Sequence, residues 1–71
     1  MDRYITGAVI KRLRESKKLT QEELAKRLFI SAKAVSKWET GQGFPDVSLL
    51  EPLAQALGIS VLELFSGEHP Q

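Results

Sequence analysis

Thr20-Gln-Glu-Glu-Leu-Ala-Lys-Arg-Leu-Phe-Ile-Ser-Ala-Lys-Ala-Val-Ser-Lys-Trp-Glu-Thr-Gly41 is the stretch that decides how this chain folds. Thr20 followed three residues later by Glu23 is a capping box, so a helix starts at Gln21. Its inner face is Leu24, Ala25 and Leu28, at the three-and-four spacing of an amphipathic helix. Ser31 caps the next helix, residues 32–40, which stops at Gly41. Only Phe29, Ile30 and Ser31 lie between the two. Short helices joined by so short a turn form the helix-turn-helix arrangement. Ala25 is small where the helices cross, and Leu24, Leu28, Ile30, Val35 and Trp38 fill the angle between them.

Working outward, every flanking segment also reads as helix. Upstream, residues 6–17 carry Val9, Ile10 and Leu13 on one face. Downstream, the two glycines and the proline of residues 41–45 make a turn. Ser48 and Glu51 form a second capping box, which starts a fourth helix with Leu49, Leu50, Leu53, Ala54 and Leu57 and ends at Gly58. This start leaves Pro52 just past the first turn, whereas a start at Val47 would place it deeper and cost more. Ser60 and Glu63 form a third box, opening a short fifth helix through Phe65 that ends at Gly67. No segment alternates with period two, so the expected class is all-α, with five helices. Residues 1–67 form one domain and 68–71 a disordered C-terminal tail.

Composition excludes several functions. The 71 residues suffice for one domain, and 42% hydrophobic with 27% charged residues is ordinary for a soluble globular chain. The absence of cysteine removes disulfides, thiolate metal sites and a cysteine nucleophile, and fits a reducing cytosol. His69 is the single histidine, so no His pair can bind zinc, and Ser31 and Ser36 have no histidine to activate them. We expect no enzyme, no cofactor and no metal. No run of about 18 apolar residues exists to span a membrane, and the N-terminus lacks a signal-peptide design. The expected location is the cytoplasm, in association with the nucleoid.

Charge is unevenly placed. All ten basic residues lie within residues 1–37, where only Asp2, Glu15, Glu22 and Glu23 oppose them, a balance of +6. From Trp38 onward there is no Lys or Arg, and Glu39, Asp46, Glu51, Glu63 and Glu68 give −5. Such asymmetry suggests one face built for a polyanion. The wheel of the third helix sharpens this. Val35 and Trp38 point one way, while Ala32, Lys33, Ser36, Lys37 and Thr40 fan out opposite, with Glu39 at the edge. That outer face is short, polar, basic and free of acid.

The residues from Leu19 to Ala25, the run Ile30-Ser-Ala-Lys-Ala-Val-Ser-Lys-Trp-Glu-Thr-Gly41, Pro45 and Leu53-Ala through Leu57-Gly-Ile-Ser60 together resemble the phage Cro/CI-type helix-turn-helix family, also called the XRE family. The resemblance covers residues 5–67. It implies a compact five-helix bundle of the lambda-repressor-like DNA-binding type. The implied function is a sequence-specific transcriptional regulator, read as a repressor, that binds a double-stranded DNA operator as a homodimer. Matching positions imply base reading by Ala32, Lys33, Ser36 and Lys37, and phosphate contacts by Gln21, Thr40, Gln42 and Gly43. Arg14 and Glu39 match an internal ion pair. Phe29 departs from the pattern, standing where many such turns carry glycine. A positive φ there costs about 1 kcal/mol, so the turn is altered or the ring is buried in compensation. The fifth helix, residues 61–65, is the expected dimer interface, with Val61 and Leu64 either core or protruding. The competing reading is a protein-interaction module, such as an antitoxin or adaptor domain with the same fold.

Overall fold

The computed structural model describes residues 2–67. Five helices follow one another: α1 (Arg3–Ser16), α2 (Gln21–Leu28), α3 (Ala32–Glu39), α4 (Val47–Leu57) and α5 (Val61–Ser66). No strand occurs among the described residues. The expected tail, 68–71, lies outside them.

The helix-turn-helix forms as its caps dictate. The Thr20 hydroxyl accepts from the Glu23 amide at 3.0 Å, and the Glu23 carboxylate accepts from the Thr20 amide at 2.8 Å. These bonds satisfy two donors that a helix start otherwise leaves open. The Glu23 carboxyl is held below the usual carboxylate range, chiefly by its bond to the Thr20 backbone. Ser31 caps α3 by accepting from the Ala34 amide at 3.2 Å. Ser60 and Glu63 close the third box on α5.

Two helix starts differ from the sequence reading. α1 begins at Arg3, three residues early, because Asp2 accepts from the amides of Tyr4 and Ile5 at 2.8 and 3.4 Å. α4 begins at Val47, because Asp46, not Ser48, is its cap. The Asp46 carboxylate takes the Ser48 amide at 3.0 Å and the Ser48 hydroxyl at 2.6 Å, so the serine serves the aspartate. An anionic cap also interacts favourably with the helix dipole, and Asp46 is held ionised to lower pH by these same bonds. Pro52 consequently lies inside the helix. There it removes the bond its amide would give to the Ser48 carbonyl, a cost the earlier cap must help offset.

The core sits where α1 packs on α3, α4 and α5, with α2 closing against α3 and α4. Ile10, Leu24, Val35, Leu53, Leu57 and Leu64 are its fully buried residues, and Trp38 lines it. α1 crosses α3 closely at Gly7. A Cβ on Gly7 would overlap the Trp38 carbonyl, so only glycine allows this approach. α5 splits by residue: Leu64 is core, Val61 and Phe65 are half-buried, and Leu62 is exposed. Phe65 leans on Phe44, with ring centroids 5.9 Å apart.

Phe29 caps α2 in the left-handed conformation, φ 57° and ψ 41°. The turn therefore keeps the backbone that glycine would favour, with a phenylalanine in it. The ring is not buried to compensate; it is 95% exposed. The positive φ turns the side chain away from the α2–α3 angle, and Ile30 takes the place against the core.

Candidate nucleic-acid interface

α3 presents the candidate surface. Val35 and Trp38 anchor it in the core. Lys33 and Lys37, one turn apart, are exposed on the other side, and Ser36 is half-exposed between them. Ala32 is only half-exposed and packs against the core. It lies one turn before Val35, about 60° round the helix from it, so its methyl group is at the edge of the outer face. No acidic side chain interrupts this face, because Glu39 is turned inward with its side chain 3% exposed.

Glu39 is the hub of the site. Its Oε2 accepts from Arg14 Nε at 2.6 Å, and its Oε1 accepts from Arg14 Nη2 at 3.0 Å. Oε1 also accepts from Gln21 Nε2 at 3.0 Å. Arg14 Nη1 donates to the Leu19 carbonyl at 2.7 Å. Arg14 thus ties α1 to the end of α3 and to the turn before α2. The bond to Glu39 holds the guanidinium protonated beyond its usual range, outweighing the cost of burial. The link from Glu39 to Gln21 is absent from the sequence reading. It fixes the Gln21 amide with one N–H spent on Glu39 and one left for a ligand. The only sequence signal for it was the placement of a glutamine at the first position of α2.

Beyond α3 the positions divide. The Thr40 hydroxyl donates back to the carbonyls of Ser36 and Lys37, at 3.0 and 3.2 Å. Phosphate oxygens accept and do not donate, so in this conformation Thr40 has no hydroxyl proton for one. The Gln42 amide is also committed, to the Lys37 carbonyl at 2.9 Å, which leaves its exposed side chain. Gly43 lies beside α3. A Cβ built there would be 3.8 Å from Lys37 Cβ and 4.0 Å from Trp38 Cδ1. Lys33, Lys37, Gln42 and Gly43 therefore border one surface, with Gln21 joined to it through Glu39.

Among the described residues, no group of three or more His, Cys, Asp and Glu could hold a metal ion. No helix there is long and apolar enough to cross a membrane.

Known proteins share this arrangement. A helix-turn-helix family model matches residues 10–64. The HTH-type transcriptional activator BcrR of Enterococcus faecalis is 42% identical over 60 residues, covering 84% of this chain and 29% of that protein. This chain thus spans under a third of that relative. The HTH-type transcriptional regulator y4dJ of Sinorhizobium fredii is 45% identical over 62 residues, covering 87% of this chain and 80% of that protein. Among solved structures, the P22 c2 repressor in complex with a synthetic operator superimposes with a TM-score of 0.85 at 32% identity, covering 89% of this chain and 96% of that one. The family match and the superposition give the same assignment: this chain belongs to the XRE-type helix-turn-helix family of transcriptional regulators.

Proposed function

We propose that residues 1–67 are a DNA-binding domain that controls transcription by occupying an operator. The observation that carries this is the exposed, acid-free face of α3, with Lys33 and Lys37 one turn apart on a helix held rigidly by Val35 and Trp38. α3 lies in the major groove. Lys33 and Lys37 reach base edges, where lysine pairs most readily with guanine O6 and N7. Ser36 contacts either partner of a base pair, and the Ala32 methyl group meets a thymine methyl group. Phosphates are held by the Gln21 amide, the Gln42 side chain and the Gly43 main chain. Thr40 joins them only by releasing its hydroxyl from α3. Phosphate contacts set register and much of the affinity, and α3 supplies the sequence preference.

Repression is the mode we assign, because obstructing a promoter asks nothing of the chain beyond binding. One helix-turn-helix reads few base pairs, so two copies bind half-sites about 34 Å apart on the operator. Exposed Leu62, with half-buried Val61, is the part of α5 that can meet a second copy; Leu64 is unavailable, being core. Such a regulator works on the nucleoid in the cytoplasm and needs neither metal nor cofactor.

Selecting bound sequences from a random duplex pool tests this reading. It predicts an inverted repeat with at least one G at a contacted position in each half. An enriched site without two-fold symmetry, footprinted by one protomer, would remove the dimer. Failure to enrich any sequence would leave the protein-interaction reading.

A further inference from the structure

We infer that Arg3 is a DNA-phosphate contact, held by Tyr4 at the edge of the interface and supplying the cation that the loop after α3 lacks. This rests on the DNA-binding reading above and extends it to a residue outside the helix-turn-helix.

The deficit comes first. Residues 38–71 contain no Lys or Arg, so the loop from Gly41 to Asp46 has no positive side chain and ends on an acid. Its donors are neutral, the Gln42 side chain and main-chain amides such as that of Gly43, since the Gln42 amide is spent on Lys37. Neutral donors hold a phosphate less strongly than charged ones. Affinity and its salt dependence come from cations that displace counterions.

The geometry then places a cation beside this loop. Gly43 abuts Lys37 on one side. Gly41 lies under the Tyr4 ring, so closely that a Cβ there would overlap the ring. Phe44 lines a shallow cleft together with Asp2, Arg3 and Tyr4. The Arg3 guanidinium carbon is 5.6 Å from the centroid of the Tyr4 ring, a cation–π distance that restrains the side chain without neutralising it. A continuous track therefore runs from Lys37 across the loop to Arg3. Arg3 is exposed and makes no ion pair among the described residues.

The site is the guanidinium, not the helix end. The first amides of α1 already serve Asp2, which accepts from Tyr4 and Ile5. The Asp2 carboxylate shares the cleft and opposes a phosphate there, which gives the inference a second, opposite readout.

The test titrates variants of this chain against the selected operator and a scrambled duplex at several salt concentrations. Arg3→Ala should weaken both duplexes by the same factor and flatten the salt slope by about one unit, with the preference for operator unchanged. Asp2→Asn keeps a helix cap and removes the charge, so it should tighten both. Tyr4→Phe should bind like the parent, and Tyr4→Ala should lose part of what Arg3→Ala loses. Circular dichroism melting checks that each variant is folded. An Arg3→Ala protein with parental affinity and slope overturns the inference while leaving the α3 reading intact. Relaxed preference at a single base pair also overturns it, since Arg3 would then read a base. A parent that binds neither duplex refutes the DNA-binding reading itself, and this inference with it.

Discussion

Arg14 grips Glu39 across α1 and α3 with two nearly parallel donors, at 2.6 and 3.0 Å, and both side chains are at least nine-tenths buried. Removing one partner leaves the other as a buried charge without compensation, at a cost of about 3 kcal/mol. A domain of this size has little more stability than that to lose. Arg14→Ala should therefore melt far below the parent by circular dichroism. Arg14→Lys should recover only part, because an ammonium cannot present the fork that reaches both Glu39 oxygens and the Leu19 carbonyl. Parental melting of Arg14→Ala would mean that the pair is screened by solvent.

Phe29 gives the opposite prediction. It adopts φ 57° with its ring 95% exposed, so the backbone carries the left-handed penalty while the side chain contributes almost no burial. Phe29→Gly should raise stability by about 0.5 kcal/mol, the left-handed penalty less the extra chain entropy glycine loses on folding. In a domain this small that is roughly a 2–4 °C rise in melting temperature. Phe29→Ala keeps the penalty and should gain nothing. A Phe29→Gly protein that melts lower would show that the ring makes a contact on which the fold depends.

Acid should loosen the helix starts. Glu23 and Asp46 have their carboxyls lowered in the fold, from 4.5 and 3.8 respectively, mainly by hydrogen bonds from Thr20 and Ser48. A depressed folded value means the contribution is complete above the unfolded value and disappears as pH falls through the folded one. Melting temperature should thus be steady from neutrality to about pH 5 and fall below it. Glu23→Gln retains a capping side chain and cannot ionise, so its decline should be shallower. Equal slopes for parent and variant would assign the acid sensitivity to other carboxylates.

The two helices of the motif were legible because their signals are local. Thr20, Glu23 and Ser31 mark the ends, and the spacing of Leu24, Leu28, Val35 and Trp38 marks the inner faces. The start of α4 differs from the sequence reading because two candidate caps, Asp46 and Ser48, lie two residues apart. The choice between Asp46 and Ser48 depends on which side chain the other serves, a matter of geometry rather than composition. The start of α1 differs for a related reason: Arg3, Tyr4 and Ile5 show no apolar periodicity, and the Asp2 cap that starts the helix there is a matter of geometry. Phe29 departs from the usual glycine, but its exposure depends on tertiary packing, where Ile30 already fills the space. At the site, lysine positions follow from the helix wheel. The Glu39–Gln21 bond and the inward Thr40 hydroxyl do not, because each depends on a rotamer chosen by neighbours distant in sequence or by the end of a helix.

The most direct measurement compares Lys33→Ala and Lys37→Ala with the parent on the selected operator and on scrambled DNA across a salt series. If α3 reads bases, each substitution should cost about 1–3 kcal/mol on the operator, relax preference at one base pair, and change scrambled-DNA binding far less. Equal losses on operator and scrambled DNA for both variants would show that these lysines hold phosphates, and would contradict base readout by the exposed face of α3.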